Sequence, residues 1–170
     1  MTNLLKEYRD MAALGGNFRG FSLLQRAAEI GELVKRHPAV NLLDYGSGAG
    51  DAYRTPHKVH EAWGLRRERI HLYDPSFKHI DAPLAPGAKF SGVICSDVLE
   101  HIPEENVDAF IDTLFSHATD FVWASVCCRP AKKLFADGTN MHVTIHPLEW
   151  WHEKFAALCE GQTFYLVETP

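Results

Sequence analysis

A chain of 170 residues with 46% hydrophobic content is long enough for one domain with a sizeable core and too short for two of ordinary size. Its 22 acidic and 17 basic residues leave a net charge of −5, which repels polyanions and argues against a general nucleic-acid surface, leaving only local basic clusters at Arg66, Arg67 and Arg69 and at Arg129, Lys132 and Lys133. Cys95, Cys127, Cys128 and Cys159 show neither C-x-x-C spacing nor a secreted framework, and neither a signal-type start nor a bilayer-spanning apolar run is visible, so a cytoplasmic protein with reduced thiols and no membrane partner is expected.

In chain order, Leu4, Leu5, Tyr8, Met11 and Ala12 fall at helical spacing until Gly15 and Gly16 stop the pattern. A second helix is predicted from Ser22, paired with Gln25 in a capping box, to about Arg36, before Pro38. The connection Asn17 to Phe21 is either an element folded over a site at the top of a sheet or a plain helix connector. From residue 40 strand and helix patterns alternate, which predicts a mostly parallel sheet covered by helices on both faces. Residues 1–38 then form an N-terminal helical cap on a core spanning 39–170, all within one domain.

Within that core, Arg69 to Asp74 reads as a short strand. Pro75, Pro83 and Pro86 crowd the stretch from Asp74 to Phe90 and leave it short or irregular. After a strand at Val93 to Ser96, Pro103 takes a first helical position, with Glu104 and Glu105 at the positive end of the helix dipole. Val107, Phe110, Ile111, Leu114, Phe115 and Ala118 form one apolar face of that helix. Residues 121–127 read as a buried strand, Pro147 starts a last helix with Leu148, Trp151, Phe155 and Leu158 inward, and 163–168 read as a closing strand.

The first strand runs into Asp44-Tyr45-Gly46-Ser47-Gly48-Ala49-Gly50-Asp51. Lacking Cβ atoms, Gly46, Gly48 and Gly50 let a turn approach its ligand by backbone alone. A dinucleotide-binding turn spaces its glycines G-x-G-x-x-G and sets pyrophosphate on a helix N-terminus. Here the spacing is G-x-G-x-G, and Asp44, two residues before the first glycine, offers a carboxylate to an ammonium group. Asp74, at the end of the second strand, is placed to accept two ribose hydroxyls. A ligand with an amino acid at one end and a nucleoside at the other fits both acids, and S-adenosylmethionine is such a ligand. Asp51 reads more simply as a cap for the following helix.

With Val93-Ile94-Cys95-Ser96-Asp97-Val98-Leu99-Glu100-His101-Ile102-Pro103 added, the chain resembles the class I S-adenosylmethionine-dependent methyltransferases, in particular small bacterial or phage-type members. The resemblance covers roughly residues 40–128. It implies a Rossmann-like α/β fold, shortened relative to the seven-stranded family fold and without the final antiparallel hairpin strand. It also implies S-adenosylmethionine as cofactor and S-adenosylhomocysteine as product. Asp44, Gly46, Ser47, Gly48, Gly50, Asp74, Pro75, Ser96 and Asp97 make up the expected cofactor set.

Transfer from a sulfonium is an in-line displacement governed by alignment, and the protein adds a base only where the acceptor carries a proton. Asp97, His101 and His142 are the candidates for the transfer site. His101 lies at i+4 from Asp97, and His142 would share one face of an extended segment with Asn140, Thr144 and His146. Asp97, Glu100, His101 and a later His also look like the metal-binding pattern of certain methyltransferases acting on RNA 3′ ends or quinol precursors, although the expected site holds no metal. No Asn/Asp-Pro-Pro-Tyr-type segment follows the strand, so methylation of DNA base amino groups is not expected. The acceptor expected is a small molecule. A cofactor-consuming lyase or hydrolase, and a non-catalytic cofactor-binding module, are the alternatives.

Overall fold

The computed structural model describes residues 2–37 and 41–169. Five strands, β1 (Leu42–Tyr45), β2 (Ile70–Tyr73), β3 (Phe90–Ser96), β4 (Ala118–Val126) and β5 (Thr163–Glu168), form one sheet in the order β2-β1-β3-β4-β5. Every pairing is parallel, with Leu42 opposite Ile70 and Gly92, and Val93 opposite Val122. The antiparallel strand expected to be missing is absent among the described residues.

A parallel sheet needs cover on both faces, and alternate residues of each strand supply it. Leu43, Val93, Cys95, Val122 and Ala124 pack with Val107, Ile111 and Leu114 of α5 (Glu104–His117) and with Trp151 and Phe155 of α6 (Leu148–Leu158). Their neighbours Leu42, Ile94, Phe121 and Trp123 point the other way, onto Ile30, Leu33 and Val34 of α3 (Ala27–Arg36) and onto Val59 of α4 (Val59–Ala62). Helices therefore cover both faces, as the strand and helix alternation predicts.

Several local expectations shift. The N-terminal part contains α1 (Thr2–Ala13), then α2 (Ser22–Gln25) and α3, which are separated at Arg26 and so do not form one continuous helix. The capping box does not form: Phe21 takes the cap position without a side-chain bond, and Ser22 turns its hydroxyl to Ser96, with their Oγ atoms 3.3 Å apart. Pro38 and the start of the first strand at residue 40 lie outside the described residues. Asp51 caps nothing. Gly50 precedes the single turn Asp51–Tyr53, and the Asp51 carboxylate pairs with Arg19 at 2.6 Å and Arg54 at 3.4 Å. Pro103 precedes α5 as its cap residue, and Ala118 opens β4, so the strand starts three residues before the predicted 121. Residues 74–89 hold neither helix nor strand; turns such as Phe77 N–H to Asp74 O and Ile80 N–H to Phe77 O organise the proline-rich stretch.

Candidate active site

The strand order reverses at β1, whose neighbours β2 and β3 lead away in opposite directions, and ligands of open α/β sheets bind in the crevice at such a switch point. A cavity of about 750 Å³ occupies that crevice. Gly46, Gly48, Asp74, Ser96, Asp97 and His101 line it from the sheet edge, and Leu4, Leu5 and Tyr8 of α1 and residues 18–21 line it from the N-terminal segment.

The glycines are required by the chain's own packing. A Cβ on Gly46 (φ +89°) would lie 2.4 Å from Val98 Cγ2, and one on Gly48 (φ +58°) would lie 2.1 Å from the Phe18 carbonyl oxygen. The connection 17–21 therefore folds onto the glycine loop, the first of its two expected alternatives. It also satisfies the loop's backbone. Ala49 N–H donates to Phe18 O and Asp51 N–H to Arg19 O; Gly46 and Ser47 N–H donate to Tyr73 O, Gly50 N–H to Ser47 O, and Gly48 N–H to Asp74 Oδ2 at 2.9 Å. An anion cradle needs unpaired amides, and all six between 46 and 51 have partners.

Asp74 accepts a second amide, from Ser76 to Oδ1 at 2.8 Å, and burial holds its carboxyl above the usual range despite both bonds. Pro75 lines the cavity beside it. Asp44 differs. It is 2% exposed, does not line the cavity, and accepts the Tyr53 hydroxyl at 2.9 Å; burial pushes its carboxyl up to about 7. Its Oδ1 and the Ser47 hydroxyl are buried with no hydrogen-bond partner among the described residues. Ser47 and Gly50 likewise stay out of the cavity wall. The nine expected cofactor residues thus divide: Gly46, Gly48, Asp74, Pro75, Ser96 and Asp97 face the cavity, and Asp44, Ser47 and Gly50 do not.

At the other end, Asp97 adopts a left-handed backbone (φ +55°) and does not begin a helix. Its Oδ1 accepts the hydroxyls of Ser125 at 2.7 Å and of Thr169. The i+4 relation to His101 therefore does not exist in space; a single turn, Leu99–His101, follows instead. His101 Nδ1 lies 2.9 Å from Met141 O and 3.0 Å from the Tyr8 hydroxyl, which itself donates to Met141 O at 2.8 Å. Burial, chiefly, lowers the imidazole to about 4, so His101 is neutral at physiological pH. His142 also lines the cavity, its ring centroid 4.9 Å from that of His101, with Nδ1 2.5 Å from Arg129 O.

The other residues of the expected extended face separate. Residues 140–146 form no strand beyond one antiparallel bridge between Leu134 and Asn140. Asn140 locks the loop through Ala131 N–H and O, Thr144 is buried on Ile102 O at 2.6 Å, and His146 pairs with Glu104 at 2.9 Å. A recess of about 660 Å³, bordered by Arg129, Lys132 and Lys133, adjoins the cavity and shares Phe18, His101, Cys127 and His142 with it.

Residues 13–164 match the family described as a methyltransferase domain. The chain belongs to this methyltransferase family. It is accordingly an S-adenosylmethionine-dependent methyltransferase, an enzyme whose donor supplies a sulfonium methyl group to a nucleophile. No curated protein and no solved structure matches the chain.

The residues fit a donor that carries no phosphate. The glycine loop of this methyltransferase has no unpaired amide, and Asp74 faces the cavity with acceptor capacity left on both carboxylate oxygens. The unpartnered Asp44 Oδ1 and Ser47 Oγ are polar atoms with bonding capacity unspent. Tyr8, Phe18 and Cys127 were not legible as site residues. Tyr8 reads as one more apolar position on a helix face and Cys127 as a small core residue at a strand end. Only the proximity of 17–21 to a possible sheet top hinted at Phe18. No helix among the described residues is long and apolar enough to cross a membrane.

Proposed function

We propose that this methyltransferase transfers its methyl group to a small-molecule acceptor bound inside the 750 Å³ cavity. The size of the cavity carries this reading. Bordered by Leu4, Leu5 and Tyr8 and by the sheet edge, its volume falls within the range of about 300–1,000 Å³ typical of small-ligand sites. Asp74, Pro75, Gly46, Gly48, Ser96 and Asp97 hold the donor in this reading, with Asp44, Ser47 and Gly50 supporting the loop from behind. His101 and His142 stand at the acceptor end. Both have Nδ1 beside a carbonyl oxygen, an arrangement in which Nδ1 carries the proton and Nε2 keeps its lone pair available at the acceptor end. The net charge of −5 supports an acceptor other than nucleic acid, and the four free cysteines support a reducing, cytoplasmic compartment. The whole described chain works as a single domain in this proposal, α1 to α3 serving as the cap.

The test is transfer of labelled methyl from S-adenosylmethionine to a panel of small molecules, with protein and nucleic acid in parallel. A labelled small product together with S-adenosylhomocysteine is expected. Label appearing only in macromolecules overturns the acceptor class, and donor consumption without S-adenosylhomocysteine points to the lyase or hydrolase alternative.

A further inference from the structure

Where β3 and β4 end, Glu100, Cys127 and His142 each bring one ligand atom to a common point, all within 4.8 Å of one another. Glu100 is fully buried. Its Oε1 accepts the Cys127 N–H at 3.1 Å, and its Oε2 is equally buried with no hydrogen-bond partner among the described residues. Buried polar atoms are nearly always satisfied, so a carboxylate oxygen aimed into a cluster without a donor is the position a cation would fill.

The other two ligands are prepared in the same sense. His142 Nδ1 lies 2.5 Å from Arg129 O, the outer bond that fixes the tautomer of a metal-bound imidazole and leaves Nε2 as ligand. The Cys127 thiol has only a long contact, 3.8 Å, to Arg129 O. Asp97 is committed to Ser125 and Thr169, and His101 does not belong to the group of converging ligand atoms, so the structure selects a different set from the sequence pattern. One sulfur, one nitrogen and one oxygen donor suit a borderline divalent ion, and three protein ligands leave a coordination position open. All three residues border the main cavity.

We propose that Glu100, Cys127 and His142 bind a borderline divalent cation, Zn²⁺ first among them, with the open position toward the acceptor end of the cavity. As a carboxylate and a thiolate, Glu100 and Cys127 would together neutralise the charge of the ion. An acceptor bearing an oxygen, nitrogen or sulfur donor would take the open position. Metal binding itself is independent of the acceptor's identity.

The experiment is titration of chelator-treated full-length protein with Co²⁺, followed by Zn²⁺ competition. One equivalent of Co²⁺ should produce the near-ultraviolet thiolate charge-transfer band and visible bands of a tetrahedral site, all abolished by Zn²⁺. Cys127→Ser should lose the charge-transfer band while Cys128→Ser keeps it, and His142→Ala and Glu100→Gln should each weaken Co²⁺ binding by at least about tenfold. Because Glu100 is buried, Cys127→Ser and His142→Ala decide the matter if Glu100→Gln does not fold. No band in the parent protein, or an unchanged band in Cys127→Ser, overturns the site. A thermal shift with S-adenosylhomocysteine, run on Cys127→Ser, reads the donor site separately and should persist.

Discussion

The Tyr8 hydroxyl lies 3.0 Å from His101 Nδ1, and both groups converge on the carbonyl of Met141, so the first helix is tied directly to the cavity wall at His101. With its value lowered from 6.5 to about 4, chiefly by burial, His101 should show no protonation step between about pH 5 and 8. The unfolded chain protonates near 6.5 and the folded one only near 4, so His101 costs stability as the pH falls through that interval. Imidazole titration by NMR checks it. A His101 resonance titrating near 6.5 would show that the ring is solvated.

Asp44 works in the opposite direction. Its carboxyl is raised from 3.8 to about 7, first by burial, so between those values the folded protein holds a proton that the unfolded chain has lost. Stability should therefore decline as the pH rises from about 4 to about 7 and level off above. Denaturant midpoints across that range in the parent and in Asp44→Asn provide the measurement. An unchanged slope in the variant would remove Asp44 as the source.

Replacing Asp74 by Asn keeps the shape and one acceptor but removes the charge that receives Gly48 N–H and Ser76 N–H and faces the cavity. The loss of one charge-assisted bond to the donor, about 1.5–3 kcal/mol, corresponds to roughly a 10- to 150-fold weaker dissociation constant for S-adenosylhomocysteine. Calorimetry on the folded variant reads this directly, and an unchanged affinity would detach Asp74 from the donor site.

Gly48→Ala sets a Cβ 2.1 Å from the Phe18 carbonyl at a backbone angle of φ +58°. The segment 17–21 must then lift from the loop and break the Ala49 N–H to Phe18 O bond of 2.8 Å. We expect a lower melting temperature and weaker donor binding together. Gly138→Ala, also at positive φ (+87°) but in open space, should leave donor binding unchanged. Equal effects on donor binding from both variants would mean that backbone strain alone is responsible.

What could be read from the chain follows its physics. Strand and helix alternation fixes the parallel sheet, because each buried strand must show apolar residues on both faces, as Leu42 and Leu43 or Val122 and Trp123 do. Sheet-edge residues such as Gly46 and Asp74 were legible because their positions in sequence and in space are set by one strand end. Asp97 was misread because its left-handed backbone breaks the helical spacing that would have set it beside His101. His146 and Thr144 were misread because the alternation of residues 140–146 implies a strand, whereas Asn140 holds that segment as a loop. Cys127 gains meaning only from partners 27 positions earlier and in a loop beyond it.

The hydrogen bond from Tyr8 to Met141 joins residues 133 positions apart. A neutral bond of this kind contributes about 0.5–1.5 kcal/mol net, far below the free energy that holds a domain together. Beyond it, α1 is tied to the core by few bonds among the described residues, such as Arg9 to Pro75 O, and its side chains from Leu4 to Ala13 are at most partly buried. The α1 part of the cavity wall is thus among the least anchored parts of the chain, whereas the sheet beneath it is the most. Sub-global opening of α1 requires a fraction of the energy of unfolding, and hydrogen exchange should find the Thr2–Ala13 amides exchanging long before those of β3. Access to the site can therefore open and close while the fold that positions its acids stays intact.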